Sequence, residues 1–103
     1  MSVLLEFSMF PTDKGESVSE YVSRILRFID ESKVSYKLTA MGTIIETGSM
    51  DEALEIVSRA FELLEPDCNR IYATFKIDYR KGKSGRMTQK LRSVGEKTGK
   101  NFM

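Results

Sequence analysis

One glycine sets the frame for the middle of this chain. Residues 34–41 alternate apolar Val34, Tyr36, Leu38 and Ala40 with Ser35, Lys37, Thr39 and Met41. Thr43-Ile44-Ile45-Glu46-Thr47 is a second β-prone run, and Gly42 is the only turn residue between the two. A connection this short joins antiparallel strands. On either side of the hairpin the apolar period lengthens to that of a helix. Upstream, Val18, Tyr21, Val22, Ile25, Leu26 and Ile29 form one stripe running to about Ser32, opened by Ser17 and Glu20 at capping-box spacing. Downstream, Ser49 and Glu52 offer a second capping box. Leu54, Val57, Ala60, Phe61 and Leu64 then supply a second stripe, which Pro66 ends.

The outer segments return to period two. In residues 3–10, Val3, Leu5, Phe7 and Met9 share one face and Leu4, Glu6, Ser8 and Phe10 the other; Pro11 is expected to end this strand. In residues 70–79, Ile71, Ala73, Phe75 and Ile77 oppose Tyr72, Thr74, Lys76 and Asp78. A Gly82–Gly85 loop leads to a last helix near Arg86, with Met87, Leu91 and Val94 as its apolar stripe. The order β-α-β-β-α-β predicts an α+β, ferredoxin-like sandwich. Right-handed crossovers then give a four-stranded antiparallel sheet of order 4-1-3-2, two helices on one face, and a C-terminal helix. At 103 residues this is a single domain, 1–103, with residues 80–103 as a basic C-terminal extension.

Composition removes several function classes. No histidine and a single cysteine, Cys68, leave no zinc site, no Ser-His-Asp triad, no Cys-His pair and no disulfide framework. No Gly-rich phosphate loop is present. The loop after the first strand has neither the arginine that acylphosphatases of this fold depend on nor the CxxC of its metal chaperones. Glu6 and Glu46 lack a nucleophile or metal beside them, so a structural or ligand-orienting role is expected rather than acid–base work. No apolar run spans a membrane and no leader is recognisable, so the expected compartment is the cytoplasm. The net charge of +1 conceals an asymmetry: residues 80–103 carry +7 and residues 1–79 carry −6.

The topology brings the Pro11–Ser19 segment opposite the Met41-Gly42-Thr43 turn, with Tyr72 beginning near the same end. A helix N-terminus and the hydroxyls of Ser17, Ser19, Thr39 and Thr43 suit a small polar ligand there. Ser17 is equally a helix cap, and Gly42 is first a turn glycine. The sheet face away from the helices mixes charges with Leu4, Phe10 and Tyr72, and is expected to pack against another copy.

Four segments in order, FSMFP, Ser17-Val18-Ser19 before Tyr21-Val22, AMGTIIE and IYATFKIDYR, carry a resemblance over residues 3 to about 95. The chain resembles the small thiamine-binding proteins related to the YkoF family. That resemblance implies a ferredoxin-like protomer, dimers and often a homotetramer, and binding of thiamine or its hydroxymethylpyrimidine moiety without catalysis. It implies no cofactor beyond that ligand. Carried over, the contacts are Ser17, Ser19, Thr39, Met41, Gly42 and Thr43. Phe10, Met41 and Tyr72 are flat or apolar walls, and Glu46 is a carboxylate for the exocyclic amine or the thiazolium charge. The basic tail departs from what a cationic vitamin prefers, and suits a phosphorylated form or another anionic partner. Two alternatives stand beside this reading: a nucleic-acid- or polyanion-binding module using the tail, and a purely structural oligomerisation module.

Overall fold

The computed structural model describes residues 2–102. Its elements in chain order are β1 (Ser2–Pro11), α1 (Ser19–Glu31), β2 (Ser35–Thr39), β3 (Gly42–Thr47), α2 (Met50–Leu64), β4 (Ile71–Arg80) and α3 (Arg86–Thr98). A short 3-10 turn, Glu65–Asp67, follows α2. All strands pair antiparallel in the order β2-β3-β1-β4, the expected order read from the other edge. Val3, Leu5, Phe7 and Met9 of β1 and Ile45 of β3 bury against Ile25 and Ile29 of α1 and Ala53, Ile56, Ala60 and Leu64 of α2. Burying a side chain of this size contributes roughly 1.5–3 kcal/mol, so this one layer dominates stability.

Several local expectations change. Pro11 ends β1 as expected, but from within it: the strand runs to Pro11 rather than residue 10, and Pro11 pairs with Ile71. Thr12 N–H donates to the Arg70 carbonyl at 2.8 Å. The alternation of the strand therefore turns the proline nitrogen away from β4, beyond the end of β3, where no donor is needed. Ser17 does not cap α1. Val18 is the N-cap residue, its carbonyl accepts from Tyr21 and Val22 N–H at 3.0 Å each, and no side chain caps the helix. Half-burying Val18 competes with a cap worth only about 1 kcal/mol.

The buried stripe of α2 is turned by about one residue from the expected one. Ala60 and Leu64 are buried as expected, but Leu54 and Phe61 are exposed and Ala53 and Ile56 are buried instead, because small residues let the helix sit close to the sheet. Ser49 caps α2 as predicted, accepting Glu52 N–H at 3.2 Å. β2 and β4 are both edge strands. Leu38 is therefore 54% exposed and Phe75 is 50% exposed, although both lie on the helix-facing side.

Gly42 is not in the turn. The two-residue loop is Ala40-Met41, and Gly42 opens β3 paired with Thr39. A Cβ at Gly42 would lie 2.9 Å from the Phe7 carbonyl oxygen, so close approach to β1 demands the glycine there. The Thr39 hydroxyl closes the loop, accepting Met41 and Gly42 N–H at 3.2 Å each and donating to the Gly42 carbonyl at 2.9 Å.

The sheet face opposite α1 and α2 is partly covered by the chain itself. α3 lies over β1 and β3, fastened at its first turn. Arg86 is buried, with Nε donating to Ser2 Oγ at 3.1 Å and Nη2 to the Ser2 carbonyl at 3.0 Å and to the Asp78 carbonyl. Its Nη1 pairs with Asp78 Oδ1 at 3.2 Å.

Candidate functional site

β3 begins at Gly42, opposite Ser8, but β1 continues to Pro11. Past Phe7, which pairs with Thr43, the β3 side of β1 has no strand beside it. The register directs the Met9 N–H and C=O to that empty side. α1 and the loop before it close the space from one direction and the Ala40-Met41 turn from the other. The result is a cleft of about 480 Å³, within the size range of small-molecule sites.

Its walls are mostly apolar. Phe7, Met9 and Ile25 come from the core, Val18, Val22 and Leu26 from the start of α1, and Leu38 and Met41 from the hairpin. Met41 is 85% exposed and overhangs the opening. The polar groups are few. Thr43 is 5% exposed, lines the cleft, and its hydroxyl has no hydrogen-bond partner among the described residues. Among the described residues Glu16 is exposed, has no ion-pair partner, and is the only ionisable side chain in the lining.

Two polar anchors hold these walls. The Asp13 carboxylate accepts Asn69 N–H at 2.8 Å and Arg70 N–H at 3.4 Å, tying the β1–α1 loop to the start of β4. The Asn69 bond leads in holding the Asp13 carboxyl below its ordinary range. Arg24 of α1 grips both oxygens of Asp67 at 3.1 and 3.0 Å, reaches Glu20 at 3.3 Å, and lies 4.8 Å from the Tyr21 ring centre. The bond to Asp67 is the main cause that raises the already high pKa of Arg24.

Of the predicted site residues, the structure brings Thr39, Met41, Gly42 and Thr43 to the cleft; Phe10 reaches the lining, but strand alternation turns its ring to the open sheet face beside Tyr72, so it is not the flat wall expected. Thr39 contributes through its position, since its hydroxyl is engaged in the turn. Ser17 and Ser19 stand outside the lining, with their hydroxyls 3.4 Å apart. Tyr72 lies on the open sheet face, its ring 5.8 Å from that of Phe10, and does not reach the cleft.

Glu46 is on the wrong face altogether. Its Oε2 accepts from Ser2 Oγ at 2.6 Å and from Arg86 N–H at 3.0 Å, and its Oε1 accepts Met87 N–H at 3.1 Å. Burial pushes this carboxyl up, but the Ser2 hydroxyl, the two helix N–H groups and the Arg86 charge outweigh it and hold it low. Alternation shows the reason: Thr43 and Ile45 face the helices, so Glu46 faces away. Glu16 and the Met9 peptide were missed. Glu16 carries no pattern of its own, and the bare peptide follows only from the unequal lengths of β1 and β3.

Comparison with known proteins agrees with this architecture. The sequence profile described as thiamine-binding protein matches residues 5–95. UPF0045 protein MJ1052 of Methanocaldococcus jannaschii is 35% identical over 94 residues, covering 91% of this chain and 93% of that protein. Its solved structure superposes with a TM-score of 0.81, covering 92% of this chain and 97% of that one. UPF0045 protein Mb1933 of Mycobacterium bovis is 37% identical over 91% of this chain and 92% of its own length. TM0486 of Thermotoga maritima, 20% identical with a TM-score of 0.78 over 91% of this chain and 99% of that one, shares the fold. With a profile match across most of its length and relatives this similar, the chain belongs to the thiamine-binding protein family.

Proposed function

We propose that the cleft between β1, α1 and the β2–β3 turn binds thiamine, or its hydroxymethylpyrimidine part, without catalysing a reaction. The observation that carries this is the bare Met9 peptide within an apolar cleft. A strand edge presents one N–H and one C=O side by side, and an aminopyrimidine presents the complementary ring nitrogen and exocyclic amine. Two such hydrogen bonds fix a flat heterocycle, and the Thr43 hydroxyl is available for a third polar group. Glu16 at the mouth offsets a thiazolium charge. Membership of the thiamine-binding protein family supports the same ligand.

With Glu16 as the only ionisable group in the lining, the cleft assembles no acid–base pair around a bound ligand. Binding without chemistry is therefore the reading. Self-association belongs to it as well. β4 is a ten-residue edge strand with Tyr72 exposed on the open face and Phe75 and Tyr79 exposed on the helix side, so aromatic rings flank its free edge, which suits pairing with a second copy. No helix among the described residues is long and apolar enough to cross a membrane.

Isothermal titration with thiamine, its phosphates and hydroxymethylpyrimidine tests the proposal. Saturable heat with at least one of them, together with amide shifts at Met9 and Thr43, is expected. Absence of heat with all of them at millimolar concentration overturns it.

A further inference from the structure

A second concavity of about 580 Å³ lies on the opposite face of the sheet, under α3. Its floor is aliphatic: Leu4 and Ile44 from the sheet, Met87 and Leu91 from the helix. Its rim is cationic. Lys37, Arg80 and Lys90 line it, and none of the three has an ion-pair partner among the described residues. The one carboxylate in the lining, Asp78, is already bound to Arg86 at 3.2 Å. Elsewhere on this face Lys76 and Glu6 neutralise each other at 3.3 Å. Uncompensated positive charge is thus concentrated around the α3 groove.

We propose that this groove is a second binding site, for a small amphipathic anion with a phosphate or carboxylate head on an aliphatic body. The aliphatic floor takes the body, and the three free cations converge on the head. Other occupants fit less well. Single-stranded nucleic acid needs aromatic platforms, and no aromatic side chain lines the groove. A second α3 would bring its own Lys90, Arg92 and Lys97 against Lys37 and Arg80. The site differs from the first cleft in charge: one carboxylate lines that one, whereas free cations rim this one.

The groove exists only while α3 is docked, so its ligand also holds α3 to the sheet. This links occupancy to the order of the C-terminal segment. The inference does not depend on what the first cleft binds.

The test is titration of the full chain with hexyl phosphate, hexanoate, inorganic phosphate and hexanol, followed by amide shifts and by amide exchange in α3. The expected result is that hexyl phosphate or hexanoate binds about tenfold more tightly than inorganic phosphate and hexanol. The tighter of the two assigns the head group. Shifts centre on Ile44 and Leu91, and α3 exchange slows. The double substitution Lys37→Ala/Lys90→Ala, at two exposed positions, weakens binding about tenfold with an unchanged melting temperature. Inorganic phosphate binding as tightly as hexyl phosphate overturns the proposal. So does a change of less than about twofold in the double variant, or shifts confined to Met9 and Thr43.

Discussion

The Glu46 carboxylate caps a helix that begins forty residues later. It accepts the N–H of Arg86 at 3.0 Å and the N–H of Met87 at 3.1 Å, the first two amides of α3. A capping residue usually precedes its helix immediately, but here Gly85 holds that position with a left-handed backbone and no side chain. The strand β3 supplies the anion instead, and the cap doubles as the clamp that fixes α3 to the sheet.

Removing that clamp frees the helix and spares the core. Glu46→Ala leaves two amides and the Ser2 hydroxyl without their acceptor, at a cost of about 1–3 kcal/mol. Amide exchange then accelerates throughout α3, while Leu5 and Ile45 remain protected. Uniform acceleration over the whole chain would show that α3 is integral to the core.

The same contact predicts an acid transition. Glu46 is held below its ordinary value of 4.5 in the folded chain. Its contribution is therefore complete above that value and is lost as pH falls through the lower folded value. α3 should undock in this window before the sheet unfolds, seen as loss of helical signal ahead of the near-ultraviolet tyrosine signal. In Glu46→Gln the early step should be absent.

Gly42 is the hairpin's steric constraint. Gly42→Ala places a methyl 2.9 Å from the backbone oxygen of Phe7, which a paired strand cannot vacate. A destabilisation of about 1–3 kcal/mol is expected in urea unfolding. Ligand affinity should fall with it, because Gly42 and Thr43 line the cleft. Full stability in this variant would mean that β1 and β3 can separate there without loss.

Glu16 should distinguish the two parts of the vitamin. Being exposed, it contributes only about 0.2–1 kcal/mol to a charged ligand. Glu16→Gln is expected to weaken thiamine binding by about two- to fivefold and to leave the neutral hydroxymethylpyrimidine unchanged. Calorimetry of both ligands against both proteins measures this. An equal loss for each would assign Glu16 to the heterocycle rather than to charge.

Element order, strand pairing and the faces of β1, β3 and β4 are all legible in the residues alone. These follow from side-chain period, which is local, and from the handedness of crossovers. The same order also brings the Pro11–Ser19 segment opposite the hairpin. The remainder depends on contacts between distant segments. Two stripes overlap on α2; Ala60 and Leu64 belong to both, and the closeness of the helix to the sheet selected Ala53 and Ile56 over Leu54 and Phe61. Gly42 looked like a turn residue, yet its neighbour across the sheet is what forbids a side chain. Glu46 looked like a ligand contact, and Ser2 and Arg86, 44 residues before it and 40 after, claimed it. The bare Met9 peptide arises because β1 outruns β3, a difference in strand length with no residue to announce it. Periodicity reports which way a side chain points; what it meets there depends on segments far away in the chain.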